Sequence, residues 1–286
     1  MTEAQMPFLE HLEELRRRLI ISLIALVIGM AVAWPFSLSA LKVIQRPLTQ
    51  PSLIKQMHYS LTAYIQRQFP DLAQRFNIAP PDLSSASRKL NYMAPLEPFF
   101  VQIKISLILG VVFSLPVILY QVWLFIAPGL RASEKRYVYL FVPIGTLAFI
   151  LGDLFFLYLV WPVIVAFSLA YESDTLFAML NLSQYVNFNL RLLLLFGLIF
   201  ELPLILLVLA RIGLVRVEFL VKHRRVAILL SAVVAAFHAD VLTMTMIALP
   251  LYGMYELSIM VIRLLGGPRS RARATENLPG PTQKEP

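Results

Sequence analysis

An apolar run from Leu192 to Ala210 (LLLLFGLIFELPLILLVLA) carries a single charged residue, Glu201, at its centre. A helix needs about 20 such residues to cross a bilayer core roughly 30 Å thick. The run reads as a membrane span, with the Glu201 carboxyl near the midplane. Placing a charge there costs roughly 2.5–3.5 kcal/mol on insertion scales, so a chain that keeps such a group uses it or pairs it. Both roles stay open: a carboxyl that only hydrogen-bonds a neighbouring helix, or a functional group. Glu256 repeats the pattern in the last apolar segment.

The rest of the chain fits that reading. Charged residues are 15% of the 286, hydrophobic residues 58%, and mean hydropathy is +0.72. A soluble domain averages about 25% charged. The class is therefore an all-α polytopic membrane protein. The net charge of +8 does not point to nucleic acid, because the basic residues flank apolar runs and so read as topology signals. Cysteine is absent, which removes disulfides and thiolate metal sites. His11, His58, His223 and His238 have no ligand spacing, and neither HExxH nor GxxxxGK[ST] occurs. No metal or cofactor is expected, and no metal or nucleophile constellation suggests an enzyme.

Residues 1–18 are charged, with Phe8, Leu9, Leu12, Leu15 and Leu19 at helical spacing. This segment is expected to be an amphipathic helix on the membrane surface. The first span is predicted over Leu19–Leu38, retained rather than cleaved: it is longer than a signal-peptide core, and Glu10, Glu13 and Glu14 precede it. A long hydrophilic outer loop, 39–96, follows, with one short amphipathic helix expected around Ile54–Ile65. The second span falls within Ile105–Leu130, with Pro116 inside it and Pro128-Gly129 ending it. The third covers Tyr137–Val160, with Asp153 near its far end and Pro162 marking its exit, and the fourth is centred on Glu201. The fifth run, Val226–Phe237, has only 12 residues and covers about 18 Å as helix. The sixth is Val241–Ile262. Together these give a six-helix transmembrane domain over 19–264, with the last two helices short. The tail, 265–286, is rich in Pro, Gly, Ser and Arg and is expected to be disordered.

An even number of spans puts both termini on one side. The N-terminus, the two basic connections and the tail hold sixteen Lys and Arg, counting Arg263; the second and third outer loops hold none. The first outer loop holds seven, near the length where the charge rule weakens. Both termini are expected to be cytoplasmic.

Three stretches carry a resemblance. The first is Phe8 to Leu19 (FLEHLEELRRRL). The second runs from Pro98-Phe99-Phe100 through Lys104 to LPVILYQVWLFIAPGL (Leu115–Leu130) and Glu134-Lys135-Arg136. The third is FGLIFELP, Phe196–Pro203. Together they resemble the TatC family, the multispanning receptor subunit of the twin-arginine protein translocase. The resemblance covers nearly the whole chain except the tail and much of the first outer loop. Two departures stand out. The turn between the last two spans is Phe237-His238-Ala239-Asp240 where the family often has a TPPD-like turn, and Met244 replaces a glutamine. The first outer loop is also longer than the usual pattern.

The resemblance implies a bacterial or other prokaryotic inner-membrane protein that binds twin-arginine signal peptides of folded precursors. It implies assembly with small single-span partners of the TatA and TatB type, self-association, and transport driven by the proton-motive force. It implies Glu14, Arg16, Phe125 and Glu134 as signal-peptide residues. A guanidinium prefers a planar carboxylate partner, and Phe125 can pack the apolar part of the signal. It also implies a groove or partner surface holding Glu201, with Asp240, Glu256 and Pro47 as further candidates. Sequence chemistry alone offers plainer roles beside these. Glu14 and Arg18 are spaced i,i+4, an ordinary helix ion pair, and Glu134 sits among Arg131, Lys135 and Arg136. Pro47 and Glu97, flanking the outer loop, read as structural, and Lys104 reads as snorkelling to the interface. The competing function is a proton-coupled secondary transporter using Glu201 and Glu256, although no internal repeat supports it.

Overall fold

The computed structural model describes residues 8–49, 62–64, 66–68, 70, 88–126, 138–171, 178–211, 213–236 and 240–265. Among the described residues the regular elements are helices, and a lone bridge joins Asn91 and Asn181. Five helical segments are long and apolar enough to cross a membrane: Leu12–Ile44, Glu97–Ile126, Leu140–Leu169, Leu182–Arg211 and Val241–Leu264. The chain is an all-helical, multi-pass membrane protein.

Helix α1 (Phe8–Ala33) runs unbroken through the junction at Arg18 and Leu19. Residues 8–18 are therefore the first turns of the spanning helix and not a separate element. No glycine or proline lies between Phe8 and Ile28 to break it. A 3₁₀ turn (Trp34–Phe36, with Pro35), α2 (Ser37–Ile44) and α3 (Arg46–Thr49) follow, so the hydrophilic segment from residue 39 opens in helix. The predicted helix around Ile54–Ile65 falls almost wholly outside the described residues.

Helix α4 (Glu97–Ile126) holds Pro116 in its interior. Helix α5 (Val138–Phe155) passes through a π turn (Phe156–Val160) into α6 (Trp161–Leu169). The expected exit at Pro162 is thus corrected: the helical path continues beyond it. Pro162 occupies the first turn of α6, where a missing N–H and a fixed φ are tolerated.

Helix α7 (Leu182–Arg211) contains Glu201 and Pro203. Gly213, at φ 83°, follows its end, and the Leu214 N–H bonds back to Leu209 O at 3.0 Å. The short α8 (Val217–Lys222) lies within the predicted basic connection. Helix α9 (Arg224–Ala235) has 12 residues, as the fifth run predicted, while α10 (Val241–Leu265) has 25. Only α9 is short, then, and the expectation of two short final helices is corrected. Helix α10 is long because no breaker ends it before Leu265, and Pro250 is accommodated inside it.

The chain forms two compact units, Met1–Leu198 and Ile199–Pro286, and α7 passes through their boundary. In the first, α1 packs on α4 through glycines. A Cβ on Gly29 would lie 2.6 Å from Gly110 O, and one on Gly110 would lie 2.7 Å from Met30 N. Small residues let membrane helices approach this closely. The α5–α6 stretch meets α7 through aromatic rings: Phe149 fills the space a Gly197 side chain would need, Phe156 stacks on Phe196 at 5.2 Å, and Trp161 meets Tyr185 at 4.9 Å. In the second, α9 packs on α10, and the Tyr255 hydroxyl bonds Leu220 O at 2.8 Å.

Candidate functional site

Glu14 and Arg18 lie one turn apart on α1 and form an ion pair: Arg18 Nη2 donates to Glu14 Oε1 at 3.1 Å. Arg18 Nη1 donates to Gln121 Oε1 on α4 at 3.3 Å. Gln121 is buried, and the Arg18 and Glu14 side chains are 26% and 20% exposed. Among the described residues, two groups of this cluster are buried without a hydrogen-bond partner, Glu14 Oε2 and Arg18 Nε. The pair is therefore monodentate, with half of the carboxylate unused.

Phe125 joins this cluster by register. The Gly29–Gly110 approach and the Arg18–Gln121 bond show that α1 and α4 run antiparallel in step. Phe125 lies one turn beyond Gln121, at the level of Glu14, one turn before Arg18. Its side chain is half-buried. Arg16 is not brought in. It is exposed, and two residues correspond to about 200° of helix, so it leaves on the far side of α1 from Glu14 and Arg18. Glu134 lies outside the described residues, as do the turn Phe237–Ala239 and the tail from Gly266.

Pro47 has a structural place. Leu48 N–H bonds Gln45 O at 2.9 Å instead of reaching Ile44 O. The Ile44 carbonyl instead accepts the Trp161 indole N–H at 2.9 Å and the Tyr185 hydroxyl at 3.1 Å. Glu97 ties the segment before α4 to the first turn of α7. Its Oε2 accepts from Met93 N at 2.9 Å and Ala94 N at 3.4 Å, and its Oε1 accepts from Ser183 N at 2.9 Å, in the first turn of α7. Lys104 does more than reach the interface: its Nζ donates to Asn187 Oδ1 at 3.0 Å.

Glu201 is 4% exposed, and its Oε1 is buried without a hydrogen-bond partner among the described residues. Asp240 caps α10, its Oδ1 accepting from Thr243 N at 2.7 Å. Glu256 is bound on both oxygens. Arg224 Nη2 donates to Oε2 at 2.8 Å, and the Tyr252 hydroxyl donates to Oε1 at 2.7 Å. Glu201 and Glu256 thus differ: one carries an unmet oxygen and the other is neutralised.

Two polar residues, Gln121 and Asn189, are given no role by the sequence reading, and a third, Asp153, is read there only as marking the far end of the third span. Gln121 lies inside the quoted LPVILYQVW block, and a glutamine in an apolar span was the available signal. Among the described residues, Asn189 is fully buried with both amide atoms unpartnered, and Asp153 is 7% exposed with Oδ1 unpartnered. Asn189 sits among the polar residues at the start of α7, where nothing in the sequence separates it from the loop. Among the described residues no group of three or more His, Asp or Glu could hold a metal ion.

The sequence matches the family described as "Sec-independent protein translocase protein (TatC)" over residues 10–250. A TatC protein of Desulforapulum autotrophicum is 36% identical over 266 residues, 92% of this chain and 87% of the relative. One from Aquifex aeolicus is 35% identical over 265 residues, 91% and 95% of the two chains. A crystal structure described as "Twin Arginine Translocase Receptor- TatC in DDM" superposes with a TM-score of 0.68 at 33% identity, covering 88% of this chain and 98% of its own.

Proposed function

The chain belongs to the TatC family of Sec-independent protein translocase components, and on that premise we propose that it is the receptor that binds twin-arginine signal peptides. It is a translocase component and not an enzyme. Membership of a protein-translocase family sets aside the small-solute transporter reading.

The observation that carries the proposal is the half-used Glu14 carboxylate. It already holds one guanidinium, that of Arg18, through Oε1, and its Oε2 makes no hydrogen bond among the described residues. A second arginine finds there an acceptor of the right geometry, partly screened from water, where a charged pair is stronger than in bulk. Phe125, at the same level on α4, packs the apolar residues that follow the arginines. Glu134 and Arg16 enter through the sequence resemblance. Glu201 and Pro47 serve contacts with single-span partners of the TatA and TatB type. Transport draws on the proton-motive force in the bacterial inner membrane, with both termini cytoplasmic and several copies in one receptor complex.

Purified protein and a fluorescent peptide with two adjacent arginines test the reading. Glu14→Ala and Glu134→Ala should each weaken binding while membrane insertion stays intact. Equal affinity of wild type and the double variant would sink the proposal. For topology, a cysteine introduced at Ser60 should be labelled from the outer side only.

A further inference from the structure

Arg18 occupies the acceptor that an arginine-bearing ligand needs. The occupancy is incomplete in a specific way. Guanidinium–carboxylate pairs are strongest when two parallel N–H···O bonds form. Here Arg18 gives one Nη to Glu14 Oε1 and the other to Gln121 Oε1, leaving its own Nε and Glu14 Oε2 buried and unpartnered. Neither member of the pair is fully satisfied. An incoming guanidinium that engages both Glu14 oxygens fills the unmet acceptor. The displaced Arg18 keeps a hydrogen-bond acceptor in Gln121, whose neutral amide cannot compete for the ligand. Gln121 is buried at 7% exposure and so is a fixed holding point on α4 rather than a mobile surface group.

We propose that Arg18 is an intramolecular rival for Glu14, released onto Gln121 when an arginine-bearing peptide docks. The inference rests on the reading of Glu14 as a ligand acceptor. It assigns Arg18 the setting of affinity and Gln121 the lowering of the exchange cost. Arginine ligands able to form the two-bond pair displace Arg18, and weaker cations do not, so the rivalry also selects against lysine.

The test is fluorescence anisotropy of the full chain in detergent with a labelled peptide carrying two adjacent arginines. Arg18→Gln should tighten binding about two- to fivefold, the range expected from removing one partly exposed competing pair. Arg17→Gln removes the same charge from an exposed neighbour and should change affinity far less; equal tightening would mean general repulsion and overturn the proposal. Gln121→Leu should weaken binding when Arg18 is present and leave it unchanged in the Arg18→Gln background. Should Arg18→Gln not fold, Gln121→Leu alone decides: unchanged affinity overturns the role. If Glu14→Gln weakens binding but Arg18→Gln does not tighten it, the rivalry fails and the receptor reading stands. If Glu14→Gln has no effect, the receptor reading itself fails.

Discussion

The indole N–H of Trp161 donates to the backbone carbonyl of Ile44 at 2.9 Å, across 117 residues of chain. Tyr185 adds its hydroxyl to the same oxygen at 3.1 Å. The oxygen is free for them because the helical ladder breaks there: Leu48 bonds Gln45 instead, and Pro47 lacks an N–H. One proline thus lets two buried aromatic residues hold the end of α2. Trp161→Phe and Tyr185→Phe each remove one donor and leave the other, so each should cost about 0.5–1.5 kcal/mol from the bond itself. The double variant orphans a buried carbonyl and should cost roughly 1 kcal/mol or more beyond the sum. Unfolding midpoints of purified protein in detergent read this out. Strictly additive losses would show that the carbonyl is not shared.

The close approach of α1 and α4 depends on two hydrogens. A Cβ at Gly29 would meet Gly110 O at 2.6 Å, a backbone atom that cannot swing aside. Gly29→Leu should therefore part the helices and cost about 1–3 kcal/mol, the range for overpacking. The same shift should loosen the Arg18–Gln121 bond further along the pair, so peptide affinity should fall together with stability. A stable Gly29→Leu protein with unchanged affinity would contradict this coupling.

Asn189 presents the opposite case, since its side chain carries a cost. It is fully buried, with neither amide atom hydrogen-bonded among the described residues. Asn189→Leu keeps the number and branching of the side-chain heavy atoms and removes the unmet groups. It should raise the unfolding midpoint, by the equivalent of about 1–3 kcal/mol. A lower midpoint would mean that the amide has a partner in the working protein.

The long elements were legible because hydropathy and length decide them. The predicted run from Ile105 appears as helix as far as Ile126, beyond which it lies outside the described residues; the runs around Glu201 and at Val241–Ile262 also appear as helices, and the 12-residue α9 matches the short fifth run. What failed was local punctuation. In the sequence Pro162 reads as a stop, because sequence does not reveal that a π turn before it places the proline in a first turn. The junction at Arg18 was read as a change of element, because charge composition changes there while helical hydrogen bonding does not. At the site, Glu14 and Arg18 were visible as an i,i+4 pair, but Gln121 lies 103 residues away from Arg18 and is joined to it only by the antiparallel register. Asp240 was legible as a motif residue, and its capping bond to Thr243 is the local chemistry that position dictates.

Glu201 and Glu256 looked alike in the sequence, and their surroundings separate them. Glu256 is bound by Arg224 and Tyr252. Glu201 is buried with Oε1 unpartnered among the described residues. A buried carboxyl with an open oxygen is suited to hydrogen bonding across a helix contact and ill suited to carrying a fixed charge. Glu201→Gln keeps a donor and an acceptor at the same reach and should retain most transport. Glu201→Ala removes both and should weaken crosslinking to single-span partners by roughly tenfold, in line with the ~1–3 kcal/mol attached to a buried hydrogen-bonding group. Peptide binding should change far less, because the Glu14 cluster lies on α1 and α4 and not on α7. Transport and partner crosslinking measured on both variants decide the matter. If Gln is as inactive as Ala, an ionisable group is required at this position and hydrogen bonding alone does not explain it.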